Sequence, residues 1–348
     1  MTKTVQAEAP IVLDGVRDDV NDTLRVLQEK IARHTPRNLL RRSYYRGKHA
    51  AQQVSPVVPK IYQQLAFTLG WSGKAVDLLA RRCNVETFVW PGGDVESLGL
   101  AEVWDGNRLR TEINQGITSS LVSTSFVVTT VGSDGEPKGL VQFADALEAT
   151  GTWNPRSRSL DAFLWITSRD DDGHALSLSL YLPNETYVAD KVDGEWVVQV
   201  ITHTWGVPVE PLAYNPELSR PFGSSRISRP VMAIQDQAVR ALMRLEGHLD
   251  VHAFPDYWML GADPSIFGKA EWRVMLGRVK GIPDDDNAEN PRADVKQFSA
   301  SSPEPHLAAL NAFAKLFARE TSLPDTALAI TDVSNPTSAE SYDASQYN

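Results

Sequence analysis

At residue 125 the apolar period of this chain changes from helical to strand-like, and short strand-like runs continue to residue 202. Six short β-rich runs occupy that stretch: Ser125–Val131, Leu140–Leu147, Ala162–Ser168, Ala175–Tyr181, Glu185–Ala189 and Trp196–Thr202. Turn chemistry separates several of them, at Ser133-Asp134-Gly135, Asp170-Asp171-Asp172-Gly173 and Asp193-Gly194. Tight turns between short strands predict an antiparallel sheet. Helical periods precede and follow it, so the fold class is α+β, with no wound parallel sheet.

The flanks read as follows. Residues 1–12 form a loose tail. Val20, Leu24, Leu27 and Ile31 are spaced by four, three and four, which predicts a helix over Asp18–His34 that Thr35-Pro36 breaks. A second short helix, Arg37–Gly47, carries Arg37, Arg41, Arg42 and Arg46, with Lys48 after it. These cations suit a phosphate or other anion contact. A solvated helix face or a subunit contact fits better, because only Tyr44 and Tyr45 lie among them as stacking aromatics. Further helices are predicted at Gly73–Arg82, Val95–Asn107 and Arg110–Ser123, with a strand at Glu86–Trp90. After the sheet, His203–Arg220 is a proline-rich connector. The longest element then runs from Ser225 to Val251, marked by Ile227, Val231, Ile234, Ala238, Leu242, Leu245 and Leu249. At roughly 1.5 Å per residue it spans about 40 Å. Strands at Tyr257–Leu260 and Trp272–Arg278 and an acidic loop at Pro283–Asn287 lead to a last full helix. Ser302 caps it, Pro303 and Glu304 open it, and Leu307, Leu310, Phe313, Ala314 and Phe317 form its stripe. Lys315 and Arg319 sit in its last turn, and Pro324 ends it. A further helix starts at Asn335-Pro336, or at the capping box Thr337–Glu340.

The chemistry-bearing residues form no specific constellation. His248 and His252 are four apart, but the residues between them lack the glutamate of a zinc protease. Asp170–Asp172 and Asp284–Asp286 lack the alternating order of a calcium loop and read as solvated turns. The fragment Gly70–Ala75 fails as a phosphate loop, with Thr68 and Ala75 in the places of its glycine and its Mg²⁺-binding hydroxyl. Cys83, the one cysteine, is expected to be a buried small hydrophobe despite Arg81 and Arg82 beside it. No catalytic residue, cofactor site or metal site is expected. The net charge of −10 among 348 residues argues against a protein that coats nucleic acid. No signal peptide and no membrane-spanning run is evident, and a soluble protein is expected. A soluble hydrolase using carboxylates of the sheet region is the alternative reading.

Several segments in a characteristic order resemble the portal proteins of long-tailed double-stranded DNA phages, particularly those of actinobacteria. They are Pro221-Phe-Gly-Ser-Ser-Arg-Ile-Ser-Arg-Pro230, Tyr257-Trp-Met-Leu-Gly261, Gln297-Phe-Ser-Ala-Ser-Ser-Pro-Glu-Pro-His306, Glu320-Thr-Ser-Leu-Pro324 and Asn335-Pro-Thr-Ser-Ala-Glu340. Ala75–Arg82 and Trp205–Val209 are similar to that family more weakly. The resemblance implies a wing over 1–222, a first stem helix over 223–254, a clip over 255–299 and a second stem helix over 300–322. It further implies a tunnel loop over 323–336 and, over 337–348, the start of a helix that in the family leads to a crown. The crown is expected to be absent and the chain truncated. The implied assembly is a ring of copies, typically twelve, in the virion at the capsid vertex, assembled in the bacterial host cytoplasm. Duplex DNA would pass non-specifically through it during packaging and ejection. The implied partners are the terminase large subunit, a head-completion or adaptor protein, and capsid and scaffold proteins, with no membrane. Thr331, Asp332, Ser334 and Asn335 would face DNA, and Asp284, Asp285 and Asp286 would meet partners at the clip. Hydrolysis of ATP would belong to the terminase.

Overall fold

A computed structural model describes residues 10–49, 67–85, 99–132, 134–253, 257–260, 279–282, 294–297, 302–324 and 327–328. The chain divides into two compact units, Met1–His49 with Gly70–Met232 and Ala50–Leu69 with Ala233–Asn348. Helices and antiparallel sheet are both present, as the period change predicts.

The first unit starts with α1 (Asp18–Tyr45), a single helix that carries Pro36 in its interior. The expected break at Thr35-Pro36 does not occur. An internal proline costs about 3 kcal/mol. Val20, Leu24, Leu27 and Ile31 are all buried on one face, and each contributes roughly 1.5–3 kcal/mol. That sum exceeds the cost. The Thr35 hydroxyl also donates to the Ile31 carbonyl at 2.8 Å, beside the proline. Beyond it, the Asn38 amide donates to the Ala146 carbonyl at 3.2 Å and ties the second half of the helix to the sheet region. Three shorter helices follow: α2 (Trp71–Ala80), α3 (Leu100–Gly106) and α4 (Leu109–Val122).

Among the described residues, eight strands complete this unit: β1 (Ser125–Val131), β2 (Gly139–Asp145), β3 (Ala149–Asn154), β4 (Ser159–Arg169), β5 (Ala175–Leu182), β6 (Glu185–Val192), β7 (Glu195–Thr202) and β8 (Val209–Leu212). They form a three-stranded sheet ordered β2-β1-β8 and a five-stranded sheet ordered β3-β4-β5-β6-β7. All pairs are antiparallel. The buried face of α1 packs with Leu164, Leu178, Leu180 and Ala189 of the larger sheet. Phe126, Val128, Phe163, Tyr181 and Val209 form a second core between the two sheets.

The two edges of the larger sheet differ. At β3, Lys30 of α1 donates to the Gly151 carbonyl at 2.6 Å. At β7, Val197, Val200 and Ile201 are exposed. Among the described residues no strand pairs with the outer side of β7.

In the second unit, α5 (Arg229–Ala253) continues out of the first. Its predicted stripe is shifted: Val231, Ala238, Val239, Ala241 and Met243 are buried, while Leu249 is exposed. Gln235 is buried on the same face, and its amide donates to the Leu69 carbonyl at 2.7 Å. A small sheet places β9 (Tyr257–Leu260) between β10 (Val279–Ile282), which is parallel to it, and β11 (Asp294–Gln297), which is antiparallel. The last helix, α6 (Glu304–Glu320), begins after Pro303, and the Ser302 hydroxyl accepts the Glu304 N–H at 3.2 Å. Leu310, Ala314, Phe317 and Ala318 are buried, and Leu307 is exposed. Its end is built one step earlier than Pro324. Ser322 adopts φ of +49°, and the Leu323 N–H reaches the Ala318 carbonyl at 2.8 Å. This is a Schellman closure with serine in the place glycine usually takes. His248 of α5 meets His306 of α6 edge to face, with ring centroids 5.0 Å apart.

Candidate functional site

The residues expected to face DNA (Thr331, Asp332, Ser334, Asn335) and to meet partners at the clip (Asp284, Asp285, Asp286) lie outside the described residues. So do the strands expected at Glu86–Trp90 and Trp272–Arg278 and the helix start at Asn335–Glu340. What the structure does describe is the basic half of α1, and it divides those cations between two faces.

One face looks onto α4. Arg42 pairs with Asp145 at the end of β2. The same carboxylate oxygen accepts the Ser119 hydroxyl at 2.6 Å, and its other oxygen accepts the Leu147 N–H at 2.8 Å. Both oxygens of Asp145 are therefore engaged. Around this pair is an open cleft of about 740 Å³, lined also by Arg46 and by Arg110, Asn114 and Gln115 of α4. Arg46 and Arg110 are exposed and form no ion pair among the described residues.

The other face holds Lys30, His34, Arg37 and Arg41, spaced by four, three and four along the helix. Lys30 is compensated. Its ammonium donates to Gly151 and lies 4.8 Å from the centroid of the Phe222 ring. Burial nevertheless lowers its pKa, with Arg33 adding to the effect. Burial also lowers the pKa of His34, helped by Arg37, Arg33 and Lys30, which favours its neutral imidazole. Its Nδ1 then accepts from Arg37 Nη2 at 3.3 Å. Arg41 is not compensated. Its Nε is buried and has no hydrogen-bond partner among the described residues. Burial, and then Arg37 and Arg220, push its pKa down to about 10. Arg220 arrives from the connector, close to the tight turn in which Glu217 and Arg220 exchange backbone hydrogen bonds.

The sequence marks Arg37, Arg41, Arg42 and Arg46 of α1 as a cluster, but not Lys30 or His34, nor Arg110, Arg220 or Asp145. Nothing in the spacing of residues that lie about 70 to 180 positions apart on the chain joins them. The expectation for Cys83 is corrected: it is exposed, because it follows the end of α2 and not its packed face. Asp170 lies in the β4–β5 turn and accepts the backbone N–H of Asp172 at 3.0 Å and of His174 at 2.8 Å. The His174 bond is the main reason its pKa is lowered. Among the described residues no three His, Cys, Asp or Glu side chains are grouped to hold a metal ion, and no helix is long and apolar enough to cross a membrane. The described arrangement can hold anions.

Comparison with known proteins places the chain in context. A family model described as phage portal protein, SPP1 Gp6-like, matches residues 24–346. The portal proteins of Mycobacterium phage L5 and Mycobacterium phage D29 are each 26% identical over 319 residues, covering 87% of this chain. The chain spans 64% of the length of those relatives. Among solved structures, the neck of a native gene transfer agent particle computed with C12 symmetry aligns with TM-score 0.42 and 15% identity, over 89% of this chain and 81% of that one. The neck of the empty particle, computed with C6 symmetry, aligns with TM-score 0.42 and 15% identity, over 86% and 78%.

Proposed function

The chain belongs to the SPP1 Gp6-like family of phage portal proteins, and from that premise we propose that it is a structural subunit of a ring at one vertex of a capsid. Double-stranded DNA passes through the ring during packaging and ejection, and the ring docks a terminase large subunit, a head-completion protein and the capsid. Portal proteins are virion components, and this one is assembled in the host cytoplasm. The observation that carries the reading is the family match, which runs from residue 24 to residue 346 and so through both units.

In this reading the first unit corresponds to the wing, α5 and α6 to the two stem helices, and the intervening sheet to the clip. Asp284–Asp286 meets a partner, and the loop carrying Thr331, Asp332, Ser334 and Asn335 faces DNA. The net charge of −10 supports a conduit, since a strongly basic lining would hold phosphates and slow sliding. The family is structural, and ATP hydrolysis is assigned to the partner. The carboxylate-hydrolase alternative finds no support in the relatives. Negative-stain microscopy of the purified protein tests the proposal. Rings with a central pore are expected, and compact monomers at every protein concentration would refute it.

A further inference from the structure

Arg41 poses a physical problem that the described residues do not solve. A guanidinium with a buried, unpaired N–H costs the desolvation of that group, about 1–3 kcal/mol or more for a charge. In folded proteins such a group normally meets a carboxylate. Here the two charges that act on it are further cations, Arg37 and Arg220. Neither has an ion-pair partner among the described residues, and Arg37 is occupied only by the neutral ring of His34. Two residues from Arg220, Leu218 is 93% exposed on the turn that presents it. Leu40, next to Arg41 in α1, is exposed as well. Arginines beside exposed apolar side chains are the composition of a protein contact, where Arg is enriched and leucine finds cover. A phosphate site needs the cations but has no use for Leu218.

We propose that Arg37, Arg41 and Arg220 form the receiving half of a contact between two copies of this chain, with a carboxylate of the neighbouring copy entering among the three guanidiniums. The proposal rests on the ring reading above, and the site is incomplete without the second copy. Charge complementarity selects the occupant. The chain carries 44 acidic against 34 basic residues, so its copies are rich in carboxylates and this cluster is a local exception. A contact between unlike patches of identical subunits is head-to-tail, the kind from which cyclic assemblies grow. Arg41 is partly desolvated in advance, so it has less water to exchange for the carboxylate at the moment of docking.

Two variants and one probe test it. Arg41→Met keeps the length of the side chain and removes the buried charge. Arg220→Glu reverses an exposed charge that no described contact uses for folding. Assembly is followed by mass photometry across protein concentration, thermal melting is measured on the dissociated chain, and binding of a 20-bp duplex is followed by anisotropy. The expected result is a loss of assembly affinity of tenfold or more for both variants, while the melting point of the dissociated R41M chain equals or exceeds that of the wild type. Wild-type assembly should also weaken as salt is raised. If the wild type assembles and both variants assemble equally well, the inference falls and the ring reading survives. If the wild type stays monomeric throughout, both fall. If the variants lose duplex binding and keep assembly, the cluster belongs to phosphates and the inference is overturned. If R41M melts well below the wild type with assembly intact, Arg41 is structural and the inference is likewise overturned.

Discussion

Substituting Gly116 by alanine sets two known effects against each other. Gly116 is buried in the middle of α4. In a helix interior, alanine is favoured over glycine by about 1 kcal/mol. Here, however, a Cβ would lie 2.2 Å from Phe143 Cδ1, 2.7 Å from Cε1 and 3.0 Å from Cγ. The last atom is near the root of the ring, so rotating the side chain does not clear the space. α4 must move off β2, or Phe143 must leave its rotamer. Overpacking of this kind costs about 1–3 kcal/mol. The helix also has little freedom to shift, because the Ser125 hydroxyl donates to the Gly116 carbonyl at 2.7 Å and Ser119, one turn on, is bonded to Asp145. The expected net effect of G116A is destabilisation by about 1 kcal/mol, or a fall in melting point of roughly 2–4 °C. A double-mutant cycle with Phe143→Ala identifies the cause. In the F143A background the alanine at 116 should become neutral or stabilising, giving a coupling of about 1 kcal/mol or more. Differential scanning calorimetry on the four proteins measures it. A rise in melting point for G116A alone, or simple additivity in the cycle, would refute the close-packing argument.

Two further predictions concern the same unit. Glu185 accepts the Tyr187 hydroxyl at 2.8 Å and both Nη atoms of Arg17 at 3.1 and 3.0 Å, and these bonds, Tyr187 first, lower its pKa from 4.5. Its contribution is therefore present above the unfolded value and is lost as pH falls through the lower folded value. The gap in melting point between wild type and E185Q should be full at pH 6–7 and close below about pH 4.5, whereas a gap independent of pH would show that the carboxylate charge plays no part. Cys83 is exposed and is the one cysteine. The native protein should therefore titrate one thiol with a disulfide reagent in the absence of denaturant, and reaction only after unfolding would contradict its position after α2.

The sequence made the strand region legible because its cues are local. β1 follows its predicted bounds to the residue, and β5, β6 and β7 start within one residue of theirs. What escaped depends on contacts distant in sequence. β3 reads Ala-Thr-Gly-Thr-Trp-Asn, with little apolar alternation, and it is held by pairing with β4 and by Lys30. β8 lies in the stretch read as a connector because Pro208 and Pro211 punctuate it. As an edge strand it tolerates a proline opposite Phe126. Pro36 misled in the same way, since burial along α1 outweighs a local breaker. The unpaired state of Arg41 is the clearest case: no pattern within α1 announces that Arg220 will arrive from residues far along the chain.

The unequal edges of the five-stranded sheet carry a consequence for any assembly. Lys30 of α1 takes one carbonyl of the β3 edge, whereas among the described residues the outer side of β7 has no strand beside it. Two copies joining there would use the same surface on each, a self-complementary union that ends at two and leaves nothing to grow from. A closed circle of many copies requires the opposite, a surface that meets something unlike itself. Two copies joined edge to edge at β7 would add nothing to such a circle, which grows only through unlike surfaces.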